Sequence, residues 1–292
     1  SCVPCDFSLP AFLFFLSMRP LIFAHANSFP AGTYDYLFAQ LRARGFAVHA
    51  LPRFGHDPAY PVTDNWPHLV QQLKDFAQPL VAQWGQPAYF VGHSLGGFVS
   101  LMTAAQTPEL ARGVLLLDSP LLGGWRATSV QAAKRSRLVN IFSPGKVSRK
   151  RRTRWGSAQE ALEHFQRKPS FARWHPQILQ DYIRHGLHQD AQGQLTLWFT
   201  REEETAIYNS LPHNLSPLLR QHPLRCPVAF IGGRQSREMR QVGMEMTQRV
   251  TRGRIMVLDG SHLFPMEHPI TTAAAIEASL LNLDSITDAQ VF

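Results

Sequence analysis

The stretch Tyr89-Phe90-Val91-Gly92-His93-Ser94-Leu95-Gly96-Gly97 passes from an apolar, strand-like run into a serine bracketed by glycines and straight on into a helical pattern. That is the pattern of a nucleophile elbow, a tight strand-to-helix turn that holds the serine backbone in a strained conformation and exposes its Oγ. Gly92 and Gly96 stand where any Cβ would collide with the packed strand and helix. Leu95 through Met102 reads as the start of the helix, so the amide of Leu95 points outward and the positive helix end faces an oxyanion formed beside Ser94.

A serine hydroxyl is a poor nucleophile at neutral pH. It needs an imidazole to take its proton, and the imidazole needs a buried acceptor to fix its tautomer. Of the 13 histidines, His262 is the expected base, because Arg254-Ile255-Met256-Val257-Leu258 reads as a late strand and Asp259-Gly260-Ser261-His262 as the loop leaving its C-terminal end. His185 and His188 flank a helix end, His56 lies in a glycine-containing loop and His93 is packed beside the nucleophile, so structural or solvent roles are expected for them.

Three segments together resemble the α/β-hydrolase family: His25-Ala26-Asn27-Ser28-Phe29 after an early strand, Gly92 to Gly97, and Gly260-Ser261-His262 near the end. The resemblance covers nearly everything from Met18 onward. It implies an α/β fold with a mostly parallel sheet flanked by helices and an inserted helical cap. In that family the loop after the early strand usually begins His-Gly, and the next residue lends a backbone amide to the oxyanion hole; here Ala26 replaces the glycine. The resemblance thus implies an oxyanion hole built from the amides of Asn27 and Leu95, with His25 holding the loop.

Most relatives place the catalytic acid shortly after a glycine that follows the penultimate strand. The matching stretch, Pro227-Val228-Ala229-Phe230-Ile231-Gly232-Gly233-Arg234-Gln235-Ser236, puts Ser236 there, and serine carries no charge to stabilise an imidazolium. Some family members use the end of the strand after the nucleophile helix instead, and here Gly113-Val114-Leu115-Leu116-Leu117-Asp118 ends in a carboxylate. Asp118 is therefore the expected acid, 24 residues beyond Ser94 and in the chain order Ser, Asp, His. Glu238 is the reserve. Asp259 precedes His262 too closely to reach it without doubling back inside one tight loop. Serine at the elbow, with Leu95 rather than tryptophan after it, excludes the dehalogenase and epoxide hydrolase chemistries that need an aspartate nucleophile. The pattern Arg151-Arg152…Trp155, Phe171…Trp174 and Tyr182…Gly186-Leu187 is similar to an esterase and lipase-like branch of bacterial and fungal hydrolases, and implies no particular substrate.

A chain of 292 residues, 45% hydrophobic and 17% charged, suffices for one full core interrupted by an inserted lobe. Strands are expected at 20–25, 46–51, 88–92 and 113–118, alternating with helices at 31–44, 64–84 and 95–107, which implies a parallel sheet covered on both faces. Strands at 227–231 and 254–258 and a helix from Ile270 to Leu283, opened by Pro269, complete it. The core is expected to comprise 18–120 and 224–292, with a helical cap over 121–223. Within the cap, Ser157-Ala158-Gln159-Glu160 matches a capping box for a helix at 158–167, Pro176 opens another through His185, and Thr200-Arg201-Glu202-Glu203 opens a third. His25, His93, Phe142 and Trp174 are the expected substrate-wall residues, and Phe165, Phe171 and Trp198 further aromatic candidates.

The net charge of +8 is concentrated in the cap, where Lys134, Arg135, Arg137, Lys146, Arg149, Lys150, Arg151, Arg152 and Arg154 crowd together. Such a run attracts anions and suits an anionic acyl substrate or contact with a membrane surface, though a solvated face is the plainer reading. No recognised nucleic-acid module accompanies it, so no specific nucleic-acid partner is expected. Residues 1–17 are expected to lie outside the native core, with the native chain starting at Met18. Cys2, Cys5 and Cys226 suit a reducing cytoplasm. The whole implies a serine hydrolase that cleaves a carboxylic ester or thioester through an acyl-enzyme and needs no metal or organic cofactor. Lactone opening, carbon–carbon bond hydrolysis or acyl transfer would use the same triad; a non-catalytic binding homologue, hinted at by Ser236, is the reading from another class.

Overall fold

The computed structural model describes residues 18–135 and 152–286. Residues 1–17, Phe142 and most of the basic run lie outside the described residues. Six strands, β1 (Arg19–Ala24), β2 (Phe46–Ala50), β3 (Ala88–His93), β4 (Ala111–Leu117), β8 (Val228–Gly233) and β9 (Ile255–Leu258), form one sheet in the order β2-β1-β3-β4-β8-β9, and every pairing is parallel. The central strands are apolar without alternation because both faces are covered. Leu21, Phe23, Val91, Leu115 and Ile231 join one core, over which the helices Asp35–Arg42 and Pro269–Asp284 lie; Ile22, Phe90, Leu116 and Phe230 join the other, under Pro67–Trp84 and Leu95–Gln106.

The expected elements form with local adjustments. The helix expected at 31–44 splits into a 3-10 turn, Ala31–Tyr34, and an α-helix from Asp35. The one expected at 64–84 starts only at Pro67, because a proline disfavours right-handed helical backbone in the residue before it, and Trp66 accordingly adopts a left-handed φ of 58°. Two short helices, Arg237–Val242 and Glu245–Thr251, occupy the stretch between β8 and β9, which the periodicity does not resolve.

The insert between β4 and β8 contains the three expected helices, observed at Ala158–Gln166, Pro176–Gly186 and Arg201–Asn209. It is not purely helical. Short strands β5 (Arg154–Trp155), β6 (Leu187–Gln189) and β7 (Leu195–Leu197) pair as a second, antiparallel sheet in the order β5-β7-β6. Strands of two or three residues are too short to show alternation, whereas the turn that joins the last two is organised by Asp190, whose Oδ1 accepts from the amides of Gln192 and Gln194. At the start of the third helix, Thr200 and Glu203 form a capping box that closes in both directions. At the start of the first, Ser157 accepts from the Glu160 amide, but the Glu160 carboxylate reaches the Gly156 amide instead of returning to Ser157. The insert also shares its packing with the core, since Trp155, Phe165, Trp174 and Tyr182 belong to the same buried cluster as Phe23, Tyr34 and Leu37.

Candidate active site

Parallel register brings the site together. His93 pairs with Leu117, Leu117 with Ile231, and Gly233 with Leu258, so the residues that follow β3, β4 and β9 emerge side by side at the C-terminal edge of the sheet. The Ser94 amide donates to Leu117 O (2.9 Å) and the Asp118 amide to Ile231 O (2.8 Å), fixing both turns to the neighbouring strand. Ser94 adopts φ 52° and ψ −114°, a strained backbone of the kind the elbow demands. A Cβ on Gly92 would strike the Gly96 and Gly97 backbone, and one on Gly96 the carbonyls of Ala24 and His25.

Asp118 is fully buried, and donors satisfy both of its oxygens. Oδ1 accepts from His262 Nδ1 (2.8 Å) and the Ser236 hydroxyl (2.6 Å), while Oδ2 accepts from the Gly233 amide (2.7 Å). Burial by itself would raise the Asp118 pKa; the bond to His262, that ring's charge, the Gly233 amide and the Ser236 hydroxyl outweigh it and hold the group below the ordinary carboxylate value. Burial likewise pushes the His262 imidazole down, but the hydrogen bond and charge of Asp118, with the charge of Glu238, hold it above the ordinary value. Because a carboxylate only accepts, the His262 proton sits on Nδ1, and neutral His262 keeps its lone pair on Nε2.

Ser236 thus gives its hydroxyl to the Asp118 carboxylate that arrives from β4. Glu238 approaches His262 Nδ1 at 3.7 Å, outside hydrogen-bond range, and Asp259 pairs with Arg234 at an exposed position. Asp118, Glu238 and His262 also offer ligand-type atoms within 4.8 Å of one another. Asp118 Oδ1 and His262 Nδ1 are already bonded to each other there, and Asp118 Oδ2 accepts from the Gly233 amide.

The amides of Asn27 and Leu95 have no hydrogen-bond partner among the described residues. Leu95 is the first residue of its helix, where an unpaired amide is intrinsic to the geometry. Asn27 follows β1 in a loop whose side-chain Nδ2 donates to Glu204 O (3.1 Å) of the insert. His25 and His93, expected against substrate, are both fully buried and do not line the cavity. His25 accepts from the Phe54 amide at Nε2 (2.9 Å) and donates from Nδ1 to Ala26 O (2.7 Å), and burial lowers its pKa to about 4.

His93 takes part in a relay that the sequence does not announce. The Ala26 amide donates to the Tyr34 hydroxyl (3.2 Å), Tyr34 donates to His93 Nδ1 (2.8 Å), and His93 Nε2 donates to the His262 carbonyl (2.9 Å). One chain of bonds therefore ties the Asn27 loop, the elbow and the His262 loop together. Burial lowers the His93 pKa to about 3, which keeps the ring neutral and the relay directional. Tyr34 lies in a 3-10 turn, so nothing in its spacing marks it.

Ser94 and His262 open into a cavity of about 870 Å³ whose wall includes Asn27, Tyr208, Arg237 and Glu238. Trp174 is buried behind this wall, edge-on to Phe29 (ring centroids 5.4 Å apart), which does line the cavity. Phe165 and Phe171 pack beside it in the insert, and Trp198 receives the Arg53 guanidinium on its face. Among the described residues, no helix is long and apolar enough to cross a membrane.

A profile described as the alpha/beta hydrolase family matches residues 21–275. The chain belongs to the alpha/beta hydrolase family, and hydrolysis is the activity class its relatives share. It is 24% identical over 220 residues to the abhydrolase domain-containing protein AFT2-1 of Alternaria alternata, which covers 63% of this chain and 79% of that one. Among solved structures it is similar to E-2-(acetamidomethylene)succinate hydrolase, with a TM-score of 0.66 at 20% identity over 90% of this chain and 91% of the other. A thioesterase domain from the curacin biosynthetic pathway matches with a TM-score of 0.65 at 16% identity over 91% and 92%. At these identities the structural likeness speaks for the fold.

Proposed function

We propose that the protein is a serine hydrolase that cleaves a carboxylic ester or thioester through an acyl-enzyme intermediate. The observation that carries this reading is the 2.8 Å bond from His262 Nδ1 to the buried Asp118, in a cavity that also holds the strained Ser94. With Nδ1 protonated, Nε2 is the nitrogen that takes the Ser94 proton as Oγ attacks the acyl carbonyl. The amides of Asn27 and Leu95 receive the oxyanion of the tetrahedral intermediate. Collapse expels the alcohol or thiol, which leaves with the proton carried by His262. Water then attacks the acyl-enzyme with His262 again as base, and the acid is released.

Asp118 stabilises the imidazolium formed in both halves of the reaction and keeps its own charge throughout. The relatives that act on thioesters and other acyl compounds are in keeping with this chemistry. A fluorophosphonate probe tests it: wild type should be labelled and Ser94→Ala should not, and p-nitrophenyl acetate to decanoate should be hydrolysed by the former alone. Labelling that persists in Ser94→Ala would refute the assignment.

A further inference from the structure

Arg173, Arg237 and Arg240 stand in the wall of the cavity that holds Ser94 and His262. Two of them are braced. Arg173 Nη2 donates to Gln235 Oε1 (2.8 Å) and lies 3.3 Å from Glu267 Oε2, and Arg240 Nη2 donates to Gln235 O (3.4 Å). Arg237 lines the same wall, and its side chain makes no hydrogen bond or ion pair among the described residues. The acidic groups of the wall are engaged elsewhere. Glu267 accepts from the Ser261 amide (3.0 Å) and hydroxyl (2.6 Å) as well as facing Arg173, and Glu238 is turned toward His262. With Glu267 set against Arg173, and Glu238 against one of the remaining arginines, one guanidinium charge is left over.

The three arginines are exposed at the cavity wall, where their charge favours a charged group of the substrate over a long alkyl chain. Such a wall is suited to a planar oxyanion, which guanidinium groups bind through paired hydrogen bonds. These arginines are separate from the cap run that dominates the chain's net charge.

We propose that the acyl substrate of this cavity carries a free carboxylate remote from the scissile carbonyl, received by the arginines of its wall with Arg237 as the unengaged one. The proposal rests on the reading of Ser94 as nucleophile. Recognition is by charge and shape, so the carboxylate raises kcat/KM without entering the chemical step.

The test compares mono-(4-nitrophenyl) adipate with the neutral 4-nitrophenyl hexanoate on wild type, Arg237→Gln, Arg240→Gln and Arg112→Gln. Arg112 pairs with Asp284 near the N-terminal end of β4, at the far edge of the sheet, and controls for net charge. Wild type should prefer the adipate ester, and Arg237→Gln should lower the adipate-to-hexanoate ratio of kcat/KM by about tenfold, the scale of one charge-assisted contact. Arg112→Gln should keep the ratio, and added salt should reduce it in wild type. Adipate, but not the neutral, non-ester hexane-1,6-diol, should also protect Ser94 from the fluorophosphonate probe, a readout that holds even for an enzyme with a narrow leaving-group requirement.

A wild type that prefers hexanoate, or a ratio unmoved by both Arg237→Gln and Arg240→Gln, overturns the proposal and leaves the serine hydrolase reading standing. Equal protection by adipate and hexane-1,6-diol does the same. Absence of both turnover and probe labelling in wild type overturns the two together.

Discussion

Replacing Asp118 by asparagine exchanges an acceptor for a donor at a point where every neighbour is itself a donor. Gly233 N–H, Ser236 O–H and His262 Nδ1–H all converge on the carboxylate, at 2.7, 2.6 and 2.8 Å. If the new amide keeps its oxygen toward His262, its NH2 opposes the Gly233 amide. If it turns over, Gly233 is satisfied, and Ser236 can rotate to accept while donating to Glu238 Oε2, 3.4 Å away. His262 then faces an NH2 and must accept at Nδ1, which moves its proton to Nε2 and removes the base from Ser94. The second arrangement satisfies more groups, so the variant should fold with a loss of only about 1–2 kcal/mol, the difference between charge-assisted and neutral hydrogen bonds. Turnover should fall roughly a thousandfold to ten-thousandfold, equivalent to about 4–5.5 kcal/mol in the barrier. Ester hydrolysis by wild type, Asp118→Asn and Glu238→Gln, with thermal melts to certify folding, measures this. If Asp118→Asn retained more than about a tenth of wild-type turnover while Glu238→Gln collapsed, the acid would be Glu238 and the tautomer argument would be wrong.

Glu238 acts on His262 by charge, so Glu238→Gln should lower the imidazole pKa and shift the acid limb of the kcat/KM profile to lower pH with modest change in the plateau; an unmoved limb would exclude that influence. His25 and His93 are held neutral in the fold, at about 4 and 3, but protonate below 6.5 once unfolded. Stability should therefore be intact above pH 6.5 and decline by about 2–3 kcal/mol per pH unit between 6 and 4.5, with no opposing slope there from His262, whose raised pKa leaves it protonated in both states; urea unfolding that gives the same free energy at pH 6.5 and 4.5 would contradict this. Tyr34→Phe orphans both the Ala26 amide and His93 Nδ1 in a dry interior, and should cost about 2–5 kcal/mol in a denaturant titration while lowering kcat through loosening of three loops; a change below about 1 kcal/mol would mean that the relay is dispensable. Gly96→Ala has no room against the Ala24 and His25 carbonyls and should fail to accumulate as folded protein, whereas a soluble, cooperative variant would show that the elbow can relax.

Sequence alone determined what depends on neighbours along the chain. The elbow is legible because Gly92, Ser94 and Gly96 are required within five residues, and the strands because fully buried parallel strands are written as unbroken apolar runs. His262 is marked by its place after the last strand, and Thr200 with Glu203 by a spacing that only a helix start uses.

Tertiary structure alone decided what depends on residues brought together from far apart. Asp118 meets Gly233 and Ser236 across more than a hundred residues because β4 pairs with β8, and β9 beside β8 brings His262, the third donor that keeps its carboxylate charged. In sequence Ser236 reads as a missing acid; in the fold it is the hydroxyl that holds the acid in place. His25 and His93, named also as substrate-wall residues, instead take the buried places their other readings gave them, holding the loop and packing beside Ser94, where they bond to backbone carbonyls, an amide and a phenol. Tyr34 lies in a stretch read as one helix, where nothing marks its hydroxyl, and Arg237 and Arg240 lie in a stretch the periodicity does not resolve. Only the packing of the insert against the sheet edge brings Arg173 to the same wall as Arg237 and Arg240, because no local rule of helix or strand relates residues some sixty positions apart.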